Sequence, residues 1–305
     1  MLKLMGETSL GGHTMKHALI GMLASTISFA AHAGNPVLED PADVNRDFPP
    51  GLIELIVPSH GAEMVGHMYT ANGPGPHPTV VMLHGFPGNE KNLDLAQSLR
   101  RAGFNTLYFH YRGAWGSGGD YSVRHVTEDA AAALAYVREK GKAGKMRIDP
   151  TRVSLFGHSL GGFNAIYTGA AHSDVRCTVA AAPADLAPFV GAASSEAVVS
   201  TAAQAPVPGL DGYSFADLVA ETKANMDDYS LKGKMAAFEG RALMIISGGL
   251  DTVVPLDIQI PLAEAAQMAN AKPFAHAVMD ADHSFSWGRI AFMKKVTNWM
   301  QKNCQ

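Results

Sequence analysis

Ser159 stands in Gly157-His158-Ser159-Leu160-Gly161, a G-x-S-x-G pentapeptide that follows the apolar run Val153–Phe156 and opens a small-residue segment with helix potential, Gly162–Ala171. A strand, a sharp turn and a helix in that order expose a serine hydroxyl above the edge of a sheet. Such a turn strains the backbone of the serine, so the flanking positions must be small, and Gly157 and Gly161 meet that need. The N–H of Leu160 then lies at a helix start, where it can stabilise an oxyanion. The pentapeptide alone is a weak signal, because glycine and serine are both common residues. Its chemistry depends on partners.

A serine hydroxyl is a poor nucleophile near neutral pH until a base removes its proton, and the base needs a third group to fix its tautomer. Asp251 fits the acid: it lies in Gly248-Gly249-Leu250-Asp251, after the apolar run Leu243–Ser247 and before Val254-Pro255. His283 fits the base, in Asp280-Ala281-Asp282-His283-Ser284-Phe285 after the strand-like Ala275–Met279. Asp280 and Asp282 are alternative acids, but they lie too close to His283 in sequence to be preferred.

With these residues in place the chain resembles the α/β-hydrolase family, over nearly all of residues 50–302. The family order is serine, acid, histidine, which Ser159, Asp251 and His283 follow. His84-Gly85-Phe86-Pro87-Gly88 after Thr79–Leu83 is similar to the family's first oxyanion loop, and the resemblance implies the N–H of Phe86 as a second oxyanion donor. Tyr111-Arg112-Gly113 with Gly116-Ser117-Gly118-Gly119 is similar to the family's Arg-Gly-x-Gly-x-Ser loop, which implies structural support for the site. By the same resemblance His84 and His158, with Gly85, shape the loop and turn by packing or hydrogen bonding. Serine at the nucleophile position implies acyl transfer, since relatives that open epoxides use aspartate and dienelactone hydrolases use cysteine. A small-molecule carboxylic ester is the first expectation, because an alkoxide leaves more readily than an amine. An amide or peptide bond is the second, since the core also looks similar to prolyl-oligopeptidase catalytic domains. A non-catalytic binding protein on a hydrolase scaffold is the alternative of a different class. The mechanism needs no metal and no cofactor.

The elements that must position these residues are legible as an alternation. Apolar runs at Leu52–Val57, Thr79–Leu83, Thr106–Phe109, Val153–Phe156, Thr178–Ala182, Leu243–Ser247 and Ala275–Met279 alternate with amphipathic segments. This predicts an α/β protein with a mostly parallel, doubly wound sheet and crossover helices. Val126, Ala130, Ala133, Leu134 and Val137 share one helical face, with Gly141 as a C-cap. Phe292, Val296, Trp299 and Met300 repeat that spacing in a final helix. The segment 184–240 interrupts the rhythm and is too long for an ordinary connection, so it reads as a small helical lid inserted before the acid-bearing strand. Within it Ser214 and Asp217 have capping-box spacing. Phe189, Tyr213, Phe215, Met226 and Met235 could line an acyl pocket or pack in the core.

Composition narrows the classes. The 305-residue chain is 47% hydrophobic and 17% charged, with a net charge of −4 and no basic run, so nucleic acid is not an expected partner. H-E-x-x-H, C-x-x-C and G-x-x-x-x-G-K-[ST] are missing, and G-x-G-x-x-G does not follow a strand. Lys16 and His17 precede the apolar stretch Ala18–Ala31, which ends in Ala31-His32-Ala33. That pattern predicts a signal peptide, residues 1–33, cut after Ala33, with Met15 as an alternative start. The stretch falls short of the roughly 20 residues of a stable membrane span. The hydrolase domain is then 34–305, exported to a periplasmic or extracellular space. There Cys177 and Cys304 can form a disulfide or remain two thiols, and only geometry decides.

Overall fold

A computed structural model describes residues 34–192 and 201–305; the expected signal peptide, and residues 193–200 of the Ala/Ser-rich start of the insertion, lie outside the described residues. Among the described residues eight strands form one sheet in the order β1-β2-β4-β3-β5-β6-β7-β8. They are β1 (Gly51–Ser59), β2 (Ala62–Thr70), β3 (His77–Leu83), β4 (Asn105–Phe109), β5 (Ile148–His158), β6 (Cys177–Ala181), β7 (Ala242–Gly248) and β8 (Phe274–Met279). From β4 through β8 the neighbours run parallel, and β4, β6 and β7 are buried at every position, as strands covered on both faces must be. The seven expected strands are all present.

Strand β2 is the one the apolar runs do not reveal. It pairs antiparallel with both β1 and β4, and its burial alternates, with Met64, Met68 and Thr70 inward and Glu63 and Val65 outward. Gly66 in its middle lies against β4 so closely that a Cβ would stand 2.6 Å from the Tyr108 carbonyl oxygen. A half-buried antiparallel strand of this kind has no continuous apolar run to betray it.

Two apolar layers sandwich the sheet. On one side helix α2 (Val123–Lys142) buries the expected Val126, Ala130, Ala133, Leu134 and Val137 beside helix α3 (Leu160–Ala171). On the other, the C-terminal helix Arg289–Asn303 buries Phe292, Val296 and Met300 beside helix α1 (Leu93–Arg101), with Trp299 half-buried. Gly141 is not the C-cap of α2. The helix continues through Lys142 and Gly144 takes the positive φ of 67°, whereas a Cβ on Gly141 would stand 2.8 Å from Ile148, so close packing is what that glycine serves. Cys177, at the start of β6, and Cys304, just after the C-terminal helix, form a disulfide with their Cα atoms 5.7 Å apart.

The insertion carries short helices at Leu186–Ala192, Thr201–Gln204 and Phe215–Ala224 and a 3₁₀ segment at Lys232–Phe238. Ser214 and Asp217 form the full capping box. Glu221 ties the insertion to the start of α2, accepting the Val123 and Arg124 N–H groups at 2.9 and 2.8 Å and the hydroxyls of Tyr213 and Tyr229 at 2.7 and 3.1 Å. Met235 and Phe238 are buried in the core, while Met226 is exposed. No helix among the described residues is long and apolar enough to cross a membrane.

Candidate active site

Ser159 joins the end of β5 to the start of α3 with φ 59° and ψ −121°, a conformation that L-residues avoid. Both glycines of the pentapeptide are required by this turn. A Cβ on Gly157 would overlap the Gly161 carbonyl, and one on Gly161 would overlap the Leu83 carbonyl. The Ser159 backbone is tied down as well, its N–H donating to Ala181 O at 2.9 Å and its carbonyl accepting from Phe163 and Ala184 N–H at 3.0 and 3.2 Å. Leu160 is the first residue of α3, where an N–H has no acceptor within the helix.

Asp251 follows β7 and His283 follows β8, so both come to the C-terminal ends of the strands, the same end as Ser159. His283 Nδ1 and Asp251 Oδ2 are 2.7 Å apart, and the carboxylate has no exposed side-chain surface. A carboxylate can only accept here, so Nδ1 carries the hydrogen, and in the neutral imidazole that tautomer leaves the lone pair on Nε2. Three further donors fix Asp251: the N–H groups of Val253 and Val254 reach Oδ1 at 2.9 and 2.8 Å, and Gln259 Nε2 reaches Oδ2 at 3.3 Å. Gln259 is fully buried and also donates to Val254 O at 2.5 Å. Asp280 is exposed, and Asp282 caps the Ser286 N–H at 2.6 Å, so neither takes the place of Asp251 against His283.

His158 and His84 have defined tasks. His158 Nε2 donates to the backbone carbonyl of His283 at 2.8 Å, with the two rings 4.8 Å apart, and this contact draws the His283 loop to the serine turn. Burial, with the neighbouring His283 ring, pushes the His158 pKa down to about 3, so the ring stays neutral. His84 Nδ1 donates to Gly85 O at 2.8 Å, its ring lies 4.3 Å from that of Tyr111, and burial lowers its pKa to about 4. A Cβ on Gly85 would stand 3.0 Å from Ser159 Cβ, which places the loop carrying Phe86 directly against the serine turn. The Phe86 ring lies 6.1 and 6.3 Å from those of Tyr121 and Tyr213, so the insertion contributes Tyr213 to an aromatic wall beside this loop.

Arg112 ties its own loop to α2. It donates to Asp129 at 2.6 Å and Glu128 at 2.6 Å, and the fully buried Asp129 also accepts from the Arg112 N–H and from Ser59. Gln259 and Arg289, which holds the carbonyl of Ser284, are not visible in the sequence, because neither lies in a motif and Asp94, the partner of Arg289 on α1, is 195 residues away. A groove of about 750 Å³ on the β1–β2 edge is lined by His67, Tyr108, His110, Trp115 and Lys91 among others, but by none of Ser159, Asp251 and His283. Among the described residues no group of three His, Cys, Asp or Glu side chains is arranged to hold a metal.

Comparison with known proteins agrees with this fold. An uncharacterized protein of Mycobacterium tuberculosis is 28% identical over 222 residues, covering 72% of this chain and 68% of its own. Among solved structures, the esterase Pf2001 of Pyrococcus furiosus superposes with a TM-score of 0.63 at 17% identity, over 88% of this chain and 100% of its own. Est1E of Butyrivibrio proteoclasticus, solved with ferulic acid bound, gives 0.65 at 15% identity over 82% and 98%. At such identities these likenesses speak for the fold. Residues 80–289 match the model of the alpha/beta hydrolase family, and the chain belongs to that family.

Proposed function

We propose that this protein is a serine carboxylesterase in which Ser159 is the nucleophile, His283 the general base and Asp251 the acid that orients it. His283 Nε2 takes the Ser159 proton as Oγ attacks the ester carbonyl, and the N–H groups of Phe86 and Leu160 face the oxyanion. The imidazolium then returns the proton to the departing alkoxide, leaving an acyl-serine. Water, deprotonated by the same Nε2, attacks the acyl carbon and releases the acid and free Ser159. The observation that carries this reading is the 2.7 Å contact of His283 with a buried, fully hydrogen-bonded Asp251, on the strand ends that also bear the strained Ser159.

Esters are preferred to amides because an alkoxide is the better leaving group, so catalysis needs no extended subsites to orient a poor one. The test compares turnover of p-nitrophenyl acetate with that of an aminoacyl p-nitroanilide by the wild type and by Ser159→Ala. The reading expects ester turnover that the substitution abolishes without unfolding the protein. Faster anilide cleavage would replace esterase by amidase, and full ester turnover by Ser159→Ala would remove the mechanism.

Export belongs to the same reading. The Cys177–Cys304 disulfide supports it, since such crosslinks persist in oxidising compartments. The exported protein is expected to begin at Gly34, which N-terminal sequencing of the secreted or periplasmic form checks.

A further inference from the structure

We infer that Arg289 is a positioning residue that clasps the loop carrying Phe86 to the loop carrying His283. This inference rests on the function proposed above, because it concerns the two halves of that reaction centre.

Arg289 is the first residue of the C-terminal helix, and its side chain is only 19% exposed. Its guanidinium meets Asp94 as a two-pronged fork, Nε to Oδ2 and Nη2 to Oδ1, both at 2.6 Å. Nη2 also reaches Asn92 Oδ1 at 2.9 Å and Glu90 Oε1 at 3.4 Å. Residues 90–92 lead from the Phe86 loop into α1, whose first turn bears Asp94, and they are themselves knit together, the Asn92 N–H donating to Glu90 Oε1 at 2.7 Å. On the other side of the same guanidinium, Nη1 donates to the carbonyl of Ser284 at 3.0 Å. One planar group therefore spans the two loops. The His283 backbone is gripped from both directions, by His158 from the serine turn at its own carbonyl and by Arg289 one residue further on.

The chemistry gives this clasp its significance. In the tetrahedral intermediate the oxyanion donors and the protonated base must both sit within hydrogen-bonding reach of one carbon centre, and they reside on different loops. A displacement of about 1 Å between such groups can lower a rate by about 100-fold. Arginine suits the task because its donors diverge in a fixed plane. A lysine ammonium offers no such fork, so it can keep the charge and still lose the geometry.

The alternative is an ion pair that merely ties α1 to the C-terminal helix and affects stability alone. Arg289→Gln, Arg289→Lys and Asp94→Asn separate the two, with kcat and KM measured on p-nitrophenyl acetate well below the melting temperature of each variant. Hydrogen–deuterium exchange of the 84–92 and 280–288 peptides is measured alongside. The clasp expects kcat to fall about 10- to 100-fold in Arg289→Gln with KM within about threefold, only partial recovery in Arg289→Lys, and faster exchange in both loops together. A folded Arg289→Gln protein with wild-type kcat, or with faster exchange in one loop only, would overturn it. Should the Arg289 variants not fold, Asp94→Asn decides by the same readouts, since it keeps an acceptor and a similar shape while discarding the charge. Failure of the esterase reading is separately visible: Ser159→Ala would then retain turnover, while the exchange data would still report on the clasp.

Discussion

At the Ser159 turn the neighbours that fix the geometry are backbone atoms: carbonyls of Leu83 and Gly161 fill the space where side chains on Gly161 and Gly157 would be, and the serine itself bonds Ala181, Phe163 and Ala184 through its main chain. The loop bearing His283 is held instead by side chains from three other elements, namely Asp251 after β7, His158 on the serine turn and Arg289 on the C-terminal helix, the first two remote in sequence. The two regions meet through the contact of His158 with the His283 carbonyl, yet one is determined by local sterics and the other by a long-range polar network. Substitutions should therefore act differently on them, with little tolerance at the turn and graded losses at the loop.

The largest expected effect is at the turn. Gly161→Ala forces a Cβ onto the Leu83 carbonyl, a backbone atom that cannot rotate away, so the variant should lose its activity and melt well below the wild type. An active, stable Gly161→Ala protein would break the comparison at its rigid end. Asp251→Asn should leave the fold intact and reduce kcat by about 10³- to 10⁴-fold, the scale seen when a serine-protease triad loses its acid, because the amide stabilises the wrong tautomer of His283. Steady-state kinetics with circular dichroism on the same sample checks both halves.

Stability effects come next. Reducing the Cys177–Cys304 bond, which closes a separation of 127 residues, should lower unfolding free energy by up to about 5 kcal/mol, measured by urea titration with and without reductant. Acid should weaken the side-chain network before the turn. The folded-state pKa values of His84 and His158 are pushed down to about 4 and about 3 by burial, whereas the unfolded chain takes up protons near the ordinary value of 6.5. Their contribution is present above pH 6.5 and is lost as pH falls towards 4 and below, so urea midpoints should decline over that window. Flat midpoints from pH 7 to pH 4 would contradict this account. Ser214→Ala, which removes half of a capping box in the insertion, should cost only about 1 kcal/mol and leave kcat unchanged.

The same contrast explains what could be read from the residues alone. The serine turn was legible because its constraint is local, so five adjacent residues and the strand before them state it. Asp251 and His283 were legible because each follows an apolar strand. The strand β2 was not, since half-buried alternation around Gly66 and His67 leaves no apolar run, and its place is fixed by pairing with β1 and β4. Arg289 and Gln259 were not legible either: a lone arginine and a lone glutamine acquire meaning only when folding brings them to Asp94 and Asp251. The state of the two cysteines, which spacing leaves open, is decided by the approach of the C-terminal helix to β6. Of the five insertion side chains considered for an acyl pocket, Met235 and Tyr213 both belong to the core, and Tyr213 also stands by Phe86.

The central claim is that the strained Ser159 is an activated nucleophile. Incubating the folded protein with a fluorophosphonate probe and mapping the adduct by peptide mass spectrometry tests it most directly. The account predicts a single stoichiometric adduct on Ser159, formed in parallel with loss of ester turnover and slowed strongly in Asp251→Asn. A folded protein that stays unlabelled at Ser159, or is labelled there without any loss of ester turnover, would contradict it.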